Sequence, residues 1–347
     1  MGKMAKAILF DTRSIQRYIY SGNRLKTNIG ASYMVDRVFC THLAETLENV
    51  QPALTVDAES WREELPLEKL AQSRQCVFAS EGGGNALILL SSDLDADELK
   101  AIIRRFSERV LVRCPGLHIG AAWGGMRVDG EVFQQDLHVL YKKLKEAQNQ
   151  MFPLVNVPYT GLTLTCPVNG EAANYYDVTR TVAKVQGGGQ AFYSQETAAK
   201  IKAADAAMAD LEERFPSICR RYAFPTKLEE LRPSDSEKNY FAIVHIDGNN
   251  MGLRFRACKT QKERSALSIG VRKKTEGCFG RLLESIVQEY EEALFVQAQE
   301  TDAGRKKPFL PIRPIILGGD DVTFVCCASM AIPYVKRFME LMLQEDS

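Results

Sequence analysis

Three aspartates carry the sharpest chemical signal in this sequence: Asp247 in the run His245-Ile246-Asp247-Gly248-Asn249-Asn250-Met251-Gly252, and the pair Asp320 and Asp321 in Leu317-Gly318-Gly319-Asp320-Asp321. Asp247 closes the apolar run Phe241 to Ile246, and the second motif separates the runs Ile312 to Leu317 and Val322 to Cys327. That pattern reads as a strand end and a hairpin turn. In a split β-α-β-β-α-β sheet, the end of the first strand and the hairpin between the next two lie side by side. Three carboxylates gathered there cannot all stay charged without a cation. Oxygen ligands of this kind suit Mg²⁺ or Mn²⁺ bound together with substrate phosphates, and two such ions would polarise a 3′-hydroxyl and steady a leaving pyrophosphate. Gly318 and Gly319 would supply positive φ in the turn and let a nucleotide approach the backbone. Gly248, Asn249, Asn250 and Gly252 lie where a strand feeds a helix, so free N–H groups there would cradle a triphosphate. Either motif alone is ordinary turn and cap chemistry. On neighbouring loops they outline a site.

The elements that must position these residues occur twice. The chain opens with an apolar run, Lys6 to Phe10, closed by Asp11, followed by a helical pattern from Ile15 through Leu47 that breaks near Gly22 and Gly30. Gln75 to Ala79 and Ala86 to Leu90 flank Glu81-Gly82-Gly83-Gly84-Asn85, a hairpin signal. Asp97 to Val112 has helical periodicity and Leu117 to Trp123 is a strand candidate. After Asp247 comes a long helical pattern with Phe279, Leu282, Leu283, Ile286, Val287, Tyr290 and Leu294 on one face; the Gly318–Asp321 hairpin follows, then a last helix over Ile332 to Leu343. A shift of 236 positions carries Asp11 onto Asp247, Gly82-Gly83 onto Gly318-Gly319 and Asn85 onto Asp321. Such self-similarity marks an internal duplication. The first copy has Gly84 and Asn85 where the second has Asp320 and Asp321, so it cannot hold two divalent ions and reads as a scaffold that contacts nucleotide at most. The counterpart of its closing strand, His118 onward, would begin after Ser347. The second copy's last strand therefore lies outside this sequence, is supplied by a partner, or leaves an open edge that invites pairing.

The fold class expected is α+β, with two ferredoxin-like (β-α-α-β-β-α-β) domains over 1–128 and 239–347. A partly helical connector joins them over 129–238, with helices near Leu137 to Gln148 and Thr197 to Arg214 and a loop through Pro153, Pro158, Pro167 and Gly187-Gly188-Gly189. Its end is placed at the polar stretch Arg232 to Lys238. Other residues are weaker candidates. Asn23, Arg24 and Lys26 would be phosphate or base contacts, or plain solvated loop. Arg272-Lys273-Lys274, Lys336 and Arg337 would meet phosphates, or form a solvated face. His245 shares a strand face with Asp247, as a neighbour of the site or a hydrogen-bonded structural histidine. His42, His118 and His138 have no ligand spacing, and Gly187-Gly188-Gly189 lacks the Lys-Ser/Thr of a P-loop.

Composition bounds these readings. The 347 residues are 45% hydrophobic and 25% charged, with a mean hydropathy of -0.20, and no apolar run reaches the length of a membrane span. A cytoplasmic location without membrane attachment is expected. Forty-four basic and 44 acidic residues cancel, so any nucleic-acid or nucleotide contact has to be local. Nine cysteines without a CxxC pair point to reduced thiols rather than disulfides or a structural zinc.

Taken in order, FDTRSIQRYI from Phe10, GAS from Gly30, GGGN from Gly82, HIDGNNMG from His245 and LGGDD from Leu317 resemble the polymerase/cyclase-like large subunit of type III CRISPR effector complexes. The likeness runs through most of the chain. It implies two palm domains packed face to face around nucleotide, with Asp247, Asp320 and Asp321 as metal ligands, and synthesis of cyclic oligoadenylate messengers from ATP. The sequence also departs from that family. No His-Asp dipeptide occurs, so the family's nuclease domain is not expected; there is no cysteine quartet, with Cys166-Pro167 as a remnant of that region; and the family's C-terminal helical domain is missing. The function expected is a metal-dependent nucleotidyltransferase that makes cyclic or linear oligonucleotide signals in antiviral defence. The alternative is a non-catalytic nucleotide sensor, or a scaffold that meets CRISPR effector subunits or guide RNA. A template-directed polymerase ranks third, because neutral net charge gives no duplex channel. A homodimer fits any of these readings.

Overall fold

The computed structural model describes residues 4–128, 133–150, 164–189, 191–231, 240–300 and 307–344, with backbone alone for 290–300. It is an α+β structure built around a five-stranded and a three-stranded sheet, with a two-stranded ribbon. β1 (Met4–Arg13) leads into α1 (Ile15–Tyr20), α2 (Leu25–Arg37), a π-helical turn at Val38–Leu43 and α3 (Ala44–Glu48). The short β2 (Thr55–Asp57), β3 (Gln75–Gly82), β4 (Asn85–Leu90), α4 (Ala96–Arg113) and β5 (His118–Arg127) complete the first unit. Its strand order is β2-β3-β4-β1-β5, with β1 antiparallel to both neighbours. The Leu87 to Leu90 run is apolar throughout because β4 is central and covered. Phe10, Phe39 and Phe106 stack in the core beneath, with Phe10 and Phe106 rings 5.0 Å apart.

The second sheet has the order β8-β10-β9, formed by β8 (Phe241–Ile246), β9 (Ile312–Gly318) and β10 (Asp321–Cys327); the preceding strands β6 (Tyr175–Tyr176) and β7 (Phe192–Tyr193) make the ribbon. The duplication holds at the level of single residue pairs. In the first unit Lys6 faces Leu90 and Asp11 faces Asn85. Moved by 236 positions, this register is the one that sets Ala242 opposite Cys326 and Ile246 opposite Val322. Both hairpins also carry their irregularity at equivalent places, after Phe78 in β3 and at Ile315 in β9. Among the described residues nothing pairs with the outer edge of β8, where β1 has β5.

The middle of the chain is more than a connector. After α5 (Phe133–Asn149), which packs on β5, and α6 (Thr181–Gln186), α7 (Gln195–Arg214) enters between the two units. Ala204 and Ala207 belong to the first core, and Leu211 to the second. Gly30, read from the sequence as a break, is inside α2: a β-carbon there would lie 1.7 Å from the carbonyl oxygen of Lys200, so it is the point where α2 and α7 touch backbone to backbone. Lys200, fully buried, donates to the Tyr18 carbonyl at 2.5 Å and Ser21 Oγ at 2.8 Å, and pairs with Glu196. Burial of its ammonium is offset by these acceptors. Arg214 closes the other end, reaching Glu276 at 2.7 Å and the Leu317 carbonyl at 3.0 Å.

The short helices α8 (Pro216–Cys219) and α9 (Met251–Ala257) precede α10 (Gln261–Glu300), and α11 (Ala331–Gln344) is the last element. Cys278, Phe279, Leu282, Leu283 and Ile286 of α10 meet Tyr334, Phe338 and Leu341 of α11 in the second core. The boundaries expected near 129 and 239, with Arg232 to Lys238, Pro153 and Pro158, fall outside the described residues. No described helix is long and apolar enough to cross a membrane.

Candidate functional site

Two cavities meet where the units face each other. One, of about 510 Å³, is lined by Asp247, Asp320 and Asp321 of the second unit together with Gly82 and Gly83 of the first. The other, of about 450 Å³, has a largely apolar wall that includes Ile15, Ile29, Tyr33 and Leu317, with the charged Asp36, Asp210, Arg214 and Arg313 also on it. Asp321, Glu81, Gly82 and Gly83 border both.

The aspartates come together for local reasons. β8 ends at Ile246 opposite Val322, which sets Asp247 at the mouth of the hairpin. Gly248 lets the following loop press onto Asp320: a β-carbon on it would lie 2.6 Å from Asp320 Cβ and 2.8 Å from Met251 Cγ. Gly319 has φ +62 and makes the turn. Gly318, by contrast, is an ordinary strand residue without positive φ and borders the apolar cavity. Asn249, Asn250 and Gly252 line neither cavity. Asn250 is left-handed at φ 60 and its carbonyl accepts from the N–H groups of Leu253 and Arg254, so this loop starts α9.

Asp321 is the aspartate common to both cavities. Burial pushes its carboxyl pKa up; Asp247 and Asp320 push the same way, and His245 opposes them. Its Oδ1 is buried and accepts no hydrogen bond, with His245 Nε2 3.6 Å away. His245 Nδ1 is 2.8 Å from Thr323 Oγ1, so this histidine is both anchored and a neighbour of the acidic site. Tyr20, which the sequence reading missed, reaches the same place from α1: its hydroxyl meets Thr323. Among the described residues no three His, Cys, Asp or Glu side chains form a ready-made metal cage. Mg²⁺ is commonly held by one or two carboxylates, waters and substrate phosphates, and an all-oxygen set with an orphaned buried carboxylate oxygen fits that mode.

The first unit's equivalent is occupied by its own protein. Gln148 Nε2 donates to Asp11 Oδ2 at 2.8 Å, and both the N–H and hydroxyl of Thr12 donate to the Gly84 carbonyl at 2.8 and 2.7 Å. Burial raises the Asp11 pKa, against Gln148 and Arg13.

Basic residues face the aspartates from an unexpected quarter. Arg62, from a short turn carrying the buried Trp61, and Arg264, Arg272 and Lys273 of α10 line the acidic cavity. The sequence pointed to Arg272 and Lys273 but not to Arg62 or Arg264, which no motif marks. Arg24 and Lys26 lie elsewhere, bonded to the Gln186 carbonyl at 3.2 Å and to Asp205 at 2.7 Å. Arg337 donates to Ser285 Oγ at 3.3 Å from α11; neither it nor Lys336 borders either of these two cavities. Glu81 is buried between the cavities, its pKa raised by burial against Arg272 and Arg62. Gly30-Ala31-Ser32 acts as a clasp: Gly30 touches α7, and Ser32 Oγ donates to the Ile315 carbonyl of β9.

No protein-family model matches the sequence, and no curated protein does. Solved structures do match the fold. A chain of a Csm1–Csm4 cassette in complex with AMPPNP aligns with a TM-score of 0.57 at 15% identity over 98% of this chain and 48% of that chain. The cassette in complex with cA4 gives 0.54 at 14%, over 98% and 48%, and the apo cassette gives 0.54 at 14%, over 97% and 47%. This chain spans about half the length of the chains it matches, and at these identities the likeness is one of fold.

Proposed function

We propose that the chain is a metal-dependent nucleotidyltransferase of the Csm1 kind, with its two units as ferredoxin-like palms, that joins nucleoside triphosphates, ATP foremost, into cyclic or linear oligonucleotide signals for CRISPR-like antiviral defence. The observation that carries this reading is the convergence of Asp247, Asp320 and Asp321 in one cavity between the units, beside a second cavity bordered by the same Asp321. A reaction that joins two nucleotides needs two adjoining seats, and binding both in register supplies much of the rate. Support also comes from the fold likeness to cassettes solved with AMPPNP and cA4.

In this reading Asp247, Asp320 and Asp321 hold Mg²⁺ or Mn²⁺, which when bound lowers the pKa of a nearby hydroxyl and neutralises phosphate charge. Gly319 keeps backbone close to the bound phosphates, Gly248 leaves room for Asp320, and Gly318 lies against the neighbouring seat. The apolar cavity takes the second nucleotide, its walls excluding water from the base. His245, fixed by Thr323, keeps Asp321 in place. The first unit contributes Gly82 and Gly83 as a neutral wall.

A second reading, a nucleotide sensor or scaffold subunit that meets effector subunits such as a Csm4-like partner or a guide RNA, or that pairs as a homodimer, is favoured by the edge of β8, which no described strand pairs with. Incubation with each NTP and Mg²⁺ or Mn²⁺, following pyrophosphate release and product mass, separates the two. Product that disappears in Asp320→Ala/Asp321→Ala establishes the synthase and its base. ATP binding without pyrophosphate release from the wild-type chain favours the sensor.

A further inference from the structure

α10 does more than fill the second core. Its first turns are fastened to the first unit, where the buried Gln261 and Ser265 both donate to the Ala79 carbonyl of β3, Gln261 at 3.4 Å. Its later turns, from Cys278 to Ile286, are buried in the second. The stretch between these anchors borders the acidic cavity through Arg264, Ser268, Arg272 and Lys273. Two of the four basic residues around this cavity are already neutralised. Arg62 pairs with Glu59 at 2.8 Å and Glu81 at 3.4 Å, and Arg272 with Glu276 at 3.2 Å. Among the described residues Arg264 has only neutral partners, the Tyr141 hydroxyl at 3.2 Å and the Phe255 ring at 5.0 Å, and Lys273 has no acid within ion-pair distance. Among the described residues this cavity thus holds two cations without a carboxylate, and Asp247, Asp320 and Asp321 without a lysine or arginine, His245 lying 3.6 Å from Asp321.

We infer that Arg264 and Lys273 are the seat of the β- and γ-phosphates of the nucleotide attacked at the aspartates. The inference rests on the nucleotidyltransferase reading for the identity of the ligand, and on the charge arrangement alone for the existence of an anion seat. The expected alternative seat, the start of α9, is a helix of only seven residues, too short to gather much dipole. Guanidinium offers a fork of donors to phosphate oxygens and ammonium a mobile point charge. In the transfer step the 3′-oxygen forms a bond to the α-phosphorus, its proton passing to bulk water. The bond from that phosphorus to the αβ-bridging oxygen breaks, and its electron pair leaves on pyrophosphate. Charge grows on that group as the bond breaks, so preorganised cations there favour the transition state over the bound substrate. Arg264 and Lys273 would act as binding and positioning residues for the leaving group.

The test uses the full chain and inorganic tripolyphosphate with Mg²⁺, titrated calorimetrically, so that no base and no turnover are involved. Arg264→Ala/Lys273→Ala is expected to weaken binding at least about tenfold, the loss of one charge-assisted contact or more, in a chain that stays folded with a thermal midpoint lowered only by the loss of the Arg264 contacts to Tyr141 and Phe255, since Lys273 is exposed. Arg264→Lys/Lys273→Arg, which keeps both charges, should recover most of the affinity. With ATP, the alanine variant should show a raised KM and weaker product inhibition by pyrophosphate. Wild-type affinity in a folded alanine variant, or no tripolyphosphate binding by the wild-type chain, overturns the seat. Binding that depends on Arg264 and Lys273 in a chain that turns over no nucleotide leaves the seat standing and removes the synthase reading instead.

Discussion

Replacing Gly248 by alanine tests whether the two acidic motifs are held together by contact. The new methyl carbon would sit 2.6 Å from Asp320 Cβ, 2.9 Å from its Oδ2 and 2.8 Å from Met251 Cγ. Gly248 is not among the left-handed glycines, so its backbone accepts alanine and the whole effect is steric. Carbon pairs settle at about 3.5–4.0 Å, so Asp320 must recede by roughly 1 Å. Overpacking of this kind costs about 1–3 kcal/mol, and a displacement of ~1 Å at a reacting centre costs on the order of 100-fold in rate. Pyrophosphate release from ATP, measured beside urea denaturation, should show that large fall in turnover with only that modest loss of stability. Gly319→Ala is the comparison. Its φ of +62 makes alanine strained, yet nothing lies within 4 Å of the added carbon, so it should lose about 1–2 kcal/mol and far less activity per unit of stability. Full turnover by Gly248→Ala would refute the argument that this contact sets the position of Asp320.

Gly30→Ala should destabilise the chain by more than about 3 kcal/mol, because the ~1 kcal/mol gained in helix propensity is outweighed by a β-carbon 1.7 Å from the Lys200 carbonyl oxygen; an unchanged or raised urea midpoint would show that α2 and α7 do not approach this closely. Asp321→Asn should stabilise the metal-free chain more at pH 7 than at pH 4. Burial and the neighbouring Asp247 and Asp320 raise the folded-state pKa of Asp321 above its ordinary value, so the wild-type fold loses stability as pH rises through that pKa, and asparagine, which cannot ionise, escapes the loss. Thermal unfolding in EDTA at the two pH values checks this, and an equal difference at both would count against it.

Much of the site was legible because its parts are local. A strand end, a glycine turn and paired aspartates each declare themselves within a few residues, and the shift of 236 positions says which turn faces which strand; the pairing of Asp11 with Asn85 and of Ile246 with Val322 follows it. What escaped depends on long-range packing. Gly30 carries the propensity signature of a helix break, and only the backbone of Lys200, 170 positions later, gives it a reason to stay helical. α7 reads as the Ala-rich helix of a connector, yet its alanines are small so that it can wedge between the units. Arg264 reaches the acidic cavity through the fastening of α10 to β3, and Arg62 from the short turn beside Trp61, contacts that no periodicity announces. Gly318 looked like a turn residue beside Gly319, but the turn needs one left-handed glycine there and not two.

The two copies differ at the site by an exchange of bulk as well as of charge. Thr12 and Gly248 are equivalent positions under the duplication, as are Gly84 and Asp320. In the first copy the threonine at the strand end leaves room only for glycine in the turn: a β-carbon on Gly84 would lie 2.4 Å from Thr12 Oγ1 and 2.1 Å from Ile15 Cδ1. In the second copy glycine at the strand end leaves room for Asp320. Contact at this spot is thus conserved in volume while its chemistry is inverted, from a closed neutral turn, hydrogen-bonded through Thr12, to one that exposes carboxylates to a cavity. The coupling is measurable. Gly84→Asp alone should be destabilising, through φ +79, costing about 1–2 kcal/mol, and through its collisions. Thr12→Gly alone should also lose stability, since two hydrogen bonds to the Gly84 carbonyl involve Thr12 and one is its hydroxyl's. Combined, the pair should cost less than the sum of the single changes by about 0.5–3 kcal/mol, with Ile15 limiting the recovery. Strict additivity in urea denaturation would mean that the two positions do not touch, and would dissolve the steric account of why only the second copy carries the acidic pair.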